Sequence, residues 1–160
     1  MLTERDRVKE AIEFELGEIE CLFQLYQKEL FELDLEQTPD LLELTAFASV
    51  LHSFYNGIEN ILLGIAKNID KKTPSDPNWH KSLLSQMAEK NIARGPVLSE
   101  EMKNELKKYL TFRHFFRHSY SFQLEWEDLE KLIKPIRQVW EKFKSEISSF
   151  LSLMDSYHNQ

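Results

Sequence analysis

Apolar residues recur at steps of three and four along nearly the whole chain, and that period admits little except helix. Val8, Ile12, Leu16, Ile19, Phe23, Tyr26, Leu30 and Leu33 make one such stripe, the core-facing side of a long first helix. Gly17 falls inside the stripe and weakens the helix there, but the period runs through it. Asp34 to Thr38 reads as a connection. Thr38 is the expected cap of the next helix, with Pro39 at its first position and Asp40 in its first turn. This second helix is expected to reach about Ile69. Its middle, Phe47 to Ile65, is apolar on more than one face, which predicts a central helix packed on several sides.

Polar residues from Asp70 to Asp76 predict a loop, and Asp76-Pro77 repeats the cap-plus-proline start for a shorter helix ending near Lys90. Gly95-Pro96 is a strong breaker. Ser99 then caps a fourth helix, with Glu100 and Glu101 at its positive end. Its stripe is Met102, Leu106, Tyr109, Phe112 and Phe116. The last stripe is Leu129, Ile133, Ile136, Trp140, Phe143, Ile147, Phe150 and Met154, with Pro135 expected to kink the helix or delay its start. No strand-like alternation occurs, and 4 Gly with 5 Pro are too few turn formers for a many-stranded β fold. The expectation is one all-α domain over residues 1–160, an antiparallel bundle of four to five helices.

At 160 residues and 42% hydrophobic composition the chain buries enough surface to fold without a staple. Cys21 is the lone cysteine, which excludes an internal disulfide and a multi-cysteine zinc site. No apolar run approaches the roughly 20 residues of a membrane span. Met1-Leu2-Thr3-Glu4-Arg5-Asp6 is charged where a signal peptide is apolar. These features predict a soluble cytoplasmic protein with no membrane partner.

The net charge of −7 argues against an anionic partner. Residues 103–118 reverse it locally: Lys103, Lys107, Lys108, Arg113 and Arg117 oppose only Glu105, so this window carries +4 and the remainder −11. The strip is either a solvated helix face or an anion-binding surface on an otherwise repulsive molecule. Several chemistries are discounted. The scattered glycines make no phosphate loop, there is no Gly-x-Ser-x-Gly elbow, and no Glu stands three residues before a His as in di-iron bundles. His114 and His118 have a metal-compatible spacing but no adjacent Cys or carboxylate, and Arg113 and Arg117 are interleaved with them.

The chemically dense run is Arg113-His114-Phe115-Phe116-Arg117-His118-Ser119-Tyr120. Phe112 and Phe116 belong to the core stripe. At 100° per residue Arg113, Arg117 and Tyr120 are expected close to one helix face. Two Arg and two His crowded together repel one another, and an anionic ligand relieves that repulsion. Glu59, in the apolar second helix, either orients Arg113 or faces solvent. His52 and His80 read as structural.

This run resembles the signature of the HEPN ribonucleases and most resembles its HepT branch, whose form is Arg-x4-His-x-Tyr: here Arg113, His118 and Tyr120. The residue after the Arg is usually Asn in that branch and is His114 here, a substitution the wider superfamily accepts. Leu51-His52-Ser53-Phe54-Tyr55-Asn56-Gly57-Ile58-Glu59-Asn60, Trp79-His80-Lys81-Ser82-Leu83-Leu84 and Tyr120-Ser121-Phe122-Gln123-Leu124-Glu125-Trp126 are similar to further segments of HepT-like toxins. The likeness runs from about residue 46 to 150.

The resemblance implies a ribonuclease toxin that needs no metal or other cofactor and cuts RNA, whether tRNA or mRNA, through its own 2′-hydroxyl. His118 would transfer a proton, and Arg113 would hold the phosphate and offset its charge. Arg117, Lys107 and Lys108 would guide the RNA backbone or be surface charges only. His114 would order His118, touch substrate, or cap the helix end. The family brings two motifs together in a homodimer or higher homo-oligomer. It pairs the toxin with an MNT-type nucleotidyltransferase antitoxin in a type II/VII-like system, and the antitoxin transfers AMP to the motif tyrosine, here Tyr120. Two rival readings remain: a non-catalytic helical substrate-binding subunit of that nucleotidyltransferase, and a plain oligomeric scaffold.

Overall fold

The computed structural model describes residues 1–32 and 37–156. Its elements in chain order are α1 (Glu4–Leu25), α2 (Gln27–Phe31), α3 (Leu41–Ile65), a π-helical turn over Ala66–Asp70, α4 (Trp79–Ala88), α5 (Glu100–His118), a 3-10 turn over Ser121–Gln123, α6 (Trp126–Ile133) and α7 (Ile136–Ser156). No strand occurs among the described residues, and the chain is an all-α helical bundle.

Local chemistry sets the helix ends. Thr3 Oγ1 accepts from the Asp6 amide at 3.1 Å while the Asp6 carboxylate accepts from the Thr3 amide at 2.8 Å, a reciprocal cap that starts α1. The first stripe is not one continuous helix. The backbone leaves helical geometry at Tyr26 (φ −108°, ψ 22°) and resumes as α2. The break turns Phe31 back against Phe23, with ring centroids 6.1 Å apart. Leu33, the expected end of this stripe, lies outside the described residues. The cap of α3 is Asp40 rather than Thr38: its Oδ1 accepts from the Glu43 amide at 2.9 Å. A carboxylate meets the positive helix end better than a hydroxyl, and Pro39 is buried ahead of it.

The start of α4 also shifts. Asp76 caps the turn before the helix, accepting from the Asn78 amide at 2.8 Å and from Ser82 Oγ at 3.0 Å, so the helix begins at Trp79. Ser99 caps α5 as its sequence suggests, accepting from the Met102 amide at 3.1 Å. Pro135 separates α6 from α7, as a residue without an amide donor must.

One buried ion pair builds the loop after α4. Arg94 Nε and Nη2 donate to the two Asp70 oxygens at 2.7 and 2.6 Å, and its Nη1 donates to the carbonyls of Glu89 and Gly95. Both side chains are almost wholly buried. The π turn that ends α3 carries Asp70 into this contact.

Helix α3 is the centre of the bundle, with buried residues from Leu44 to Ile65 on several faces. Helix α1 runs antiparallel to it: Asn60 lies by Glu15, Gly57 by Ile19 and Phe54 by Phe23. The helices come so close at Gly57 that a Cβ there would stand 2.7 Å from Ile19 Cγ1. Helix α7 is antiparallel to α1, pairing Trp140 with Glu20 and Asp155 with Lys9. Helices α5 and α6 cover the other side of α3 through Tyr109 on Phe54 and Trp126 on Phe47. The buried Tyr109 hydroxyl donates to the Leu132 carbonyl at 2.8 Å and ties α5 to α6. Helix α4 packs against α3 and α5, which places its first turn beside the polar end of α5. Among the described residues, no helix is long and apolar enough to cross a membrane.

Candidate functional site

The second half of α5 presents two different environments. Arg113 leans inward and its side chain is only 13% exposed. His114, Arg117 and His118 are exposed around the helix end. In the last turn of α5, Arg117 and His118 sit where the helix dipole favours positive charge. Among the described residues no hydrogen bond or ion pair joins Arg113 to His118.

The inward side is a three-residue cluster drawn from three helices. Glu59 comes from the middle of α3 and is 4% exposed. One of its oxygens lies 2.6 Å from Nδ1 of His80, in the first turn of α4. Its other oxygen lies 3.5 Å from Arg113 Nη1, an ion pair rather than a hydrogen bond. Arg113 Nη1 is also 3.5 Å from His80 Nδ1. An ionised carboxylate only accepts, so Glu59 accepts from His80 and faces Arg113 as its counter-charge. The His80 ring stacks on Trp79 at 3.6 Å between centroids, and 26% of the side chain is exposed.

Unpaired polar atoms gather around the same guanidinium. Among the described residues, the buried side-chain atoms without a hydrogen-bond partner are His52 Nδ1, Tyr55 Oη and Arg113 Nε. Each is a polar group that loses water without a protein replacement. Burial pushes the Tyr55 phenol up, Glu59 adds to the shift and Arg113 opposes it. Burial lowers the His52 imidazole, and Arg113 and Arg117 lower it further. His52 Nε2 lies 3.1 Å from the Asn56 amide nitrogen, and its ring is tilted against Phe116 at 5.5 Å.

The outward side carries imidazoles and aromatics. His114 and His118 meet edge to face at 4.8 Å. Ser119 is extended (φ −116°, ψ 152°), so α5 stops at His118. Tyr120 therefore does not share a helix face with Arg113 and Arg117, as the 100° periodicity had it. Its amide donates to Gln123 Oε1 at 3.0 Å, and its ring stacks in parallel on Phe122 at 5.4 Å. Both rings are 71% exposed.

The lysines lie further back on α5. Lys108 is paired with Glu105 at 2.9 Å and Lys103 with Glu100 at 2.6 Å. Lys107 and Arg117 have no carboxylate partner among the described residues, so the cationic strip is smaller than its residue count.

The structure thus brings together Arg113 and Glu59, and leaves His118, His114, Arg117 and Tyr120 on the open side. His80, which reads as structural in sequence, is in contact with both members of the buried pair. Its signal is weak: a His after a Trp at a helix start does not reveal a carboxylate two helices' packing away. Among the described residues, no group of three His, Cys, Asp or Glu side chains is placed to hold a metal ion.

A family model described as HepT-like protein matches residues 46–154, a stretch that holds every residue of this site. No curated protein and no solved structure matches the chain.

Proposed function

The chain belongs to the HepT-like family, a HEPN-type family, and from that we propose that it is a toxin that cleaves RNA without a metal, through attack of the RNA 2′-hydroxyl on the adjacent phosphorus. The observation that carries the proposal is the pairing, in the second half of α5, of an inward-leaning, ion-paired Arg113 with exposed imidazoles at His114 and His118. The reaction needs a fixed positive charge for the phosphorane and a group that exchanges protons near neutral pH. Arg113 supplies the first. Glu59 is its counter-charge at 3.5 Å, from a position only 4% exposed. His118 supplies the second, donating a proton to the leaving 5′-oxygen from the exposed end of α5. Arg117 and Lys107 contact the RNA backbone, with Lys108 partly offset by Glu105. A second copy of the chain completes the cleft in a homodimer.

The partner in this proposal is a nucleotidyltransferase antitoxin that transfers AMP to Tyr120. The exposure of the Tyr120 hydroxyl-bearing ring supports it. A bulky phosphate ester beside Arg117 and His118 would occupy the cationic end and exclude RNA.

The test is cleavage of total RNA in EDTA by protein whose intact mass excludes a bound AMP. The proposal expects cleavage that spares DNA and is lost in His118→Ala. An unmodified dimer that binds nucleotide and leaves RNA intact would instead support the binding-subunit reading.

A further inference from the structure

Nothing in the reaction so far uses the tightest polar contact of the site, the 2.6 Å bond between Glu59 and His80. We propose that His80 is the base of the reaction, with Glu59 the carboxylate that orients it. This rests on the ribonuclease reading above.

The geometry is that of a base and its orienter. Glu59, ion-paired with Arg113, acts as an acceptor only, so His80 Nδ1 carries a hydrogen and donates it. In the neutral ring the lone pair then lies on Nε2, the nitrogen on the far side from Glu59. A buried carboxylate behind one ring nitrogen fixes both tautomer and orientation, and stabilises the imidazolium that forms when the other nitrogen accepts a proton. Trp79 supports one face of the ring at 3.6 Å, which limits its rotation. Arg113 from α5 faces this pair, and Tyr55, one turn before Glu59 on α3, interacts electrostatically with Glu59. Arg113 Nη1 lies 3.5 Å from the same His80 Nδ1; a guanidinium only donates, so with the hydrogen on Nδ1 this is a close approach and not a hydrogen bond, and it sets the phosphate-binding group next to the base.

The step balances as follows. The 2′-hydroxyl proton passes to His80 Nε2, the 2′-oxygen bonds to phosphorus, and the bond from phosphorus to the 5′-oxygen breaks. His118 gives its proton to that oxygen. The products are a 2′,3′-cyclic phosphate and a 5′-hydroxyl, with His80 protonated and His118 neutral. Exchange with solvent resets both.

The test compares wild type, His118→Ala, His80→Ala and His80→Asn. Asparagine keeps an N–H donor towards Glu59 but has no proton-accepting nitrogen. Loss of a general base is expected to slow cleavage by about 100-fold or more in both His80 variants. A substrate whose scissile 5′-oxygen is replaced by sulfur has a leaving group that needs no protonation. It should restore His118→Ala and leave both His80 variants slow. Binding of a 2′-deoxy, uncleavable RNA by His80→Asn should match wild type.

In the wild-type chain, nitrogen–proton correlation of the His80 ring should place the proton of the neutral form on Nδ1. This reading does not depend on any variant folding. Wild-type cleavage rates in His80→Asn, restoration of His80→Ala by the sulfur substrate, or a neutral ring protonated at Nε2 would each overturn the assignment while leaving the ribonuclease standing. No cleavage by wild type would overturn both.

Discussion

In the proposed reaction Arg113 does two jobs that substitutions can separate. Lysine keeps the charge but loses the planar, multi-donor head that meets Glu59 and a phosphate together. Arg113→Lys should therefore fold with nearly unchanged melting temperature and cleave RNA about 100-fold more slowly. Arg113→Ala leaves the Glu59 carboxylate with one partner fewer and should also lower unfolding stability by about 3 kcal/mol in urea titrations. His52 gives a pH prediction. Its imidazole is held below its usual value of 6.5 by burial, then by Arg113 and Arg117, so folding favours the neutral ring. That contribution is complete above the unfolded value and is lost as pH falls towards the lower folded value. Wild type should lose more stability than His52→Asn between about pH 7.5 and 5.5; equal losses would exclude His52 as the cause. At this scale sequence was informative where chemistry was out of place. Glu59 stands out as an acid in an apolar run. His80 does not, because its significance lies in contacts with α3 and α5 that no local pattern encodes.

Among the elements, periodicity identified the helices and local hydrogen bonding moved their ends. Asp40 displaced the cap expected at Thr38, because its carboxylate reaches the Glu43 amide, and α4 begins at Trp79, past the expected Pro77, with Asn78 at its cap position. Tyr26 divides a stripe whose apolar period has no gap, because the period reports the buried face and not the continuity of the backbone. Two contacts between elements were invisible for the same reason. Gly57 lets α1 approach α3, and a Cβ there would stand 2.7 and 2.8 Å from two carbons of the buried Ile19. Gly57→Ala gains helix propensity of about 1 kcal/mol but overpacks a stiff β-branched neighbour. A net loss of about 1 kcal/mol is expected in chemical denaturation, and Ile19→Val should reduce it. The Arg94–Asp70 pair closes the loop between α4 and α5. Asp70→Ala strands a buried guanidinium and should cost about 3–5 kcal/mol, a far larger effect than removing the exposed Lys9–Asp155 pair.

For the whole molecule, the central α3 and the all-α class followed from composition and period alone, since a helix apolar on several sides has nowhere to go but the middle. The charge distribution poses a sharper question. A chain of net charge −7 that binds RNA must do so through a small local reversal. Carboxylates already pair Lys103 and Lys108, which leaves Lys107 and Arg117 as the cations most available to phosphate. Affinity for single-stranded RNA should fall with salt, and Lys107→Ala should reduce the log–log slope by about 0.7 if that lysine meets one phosphate. An unchanged slope would take Lys107 out of the binding face.

The central claim is that the RNA's own 2′-hydroxyl is the nucleophile at this site. Its most direct test is an RNA oligonucleotide carrying one 2′-deoxy nucleotide at a linkage the unmodified protein cuts, incubated in EDTA. The account predicts that cleavage stops at that linkage alone, continues at the others, and leaves 2′,3′-cyclic phosphate ends. Cleavage through the deoxy linkage, or ends with a 3′-hydroxyl and 5′-phosphate, would mean that water is the nucleophile and would contradict it.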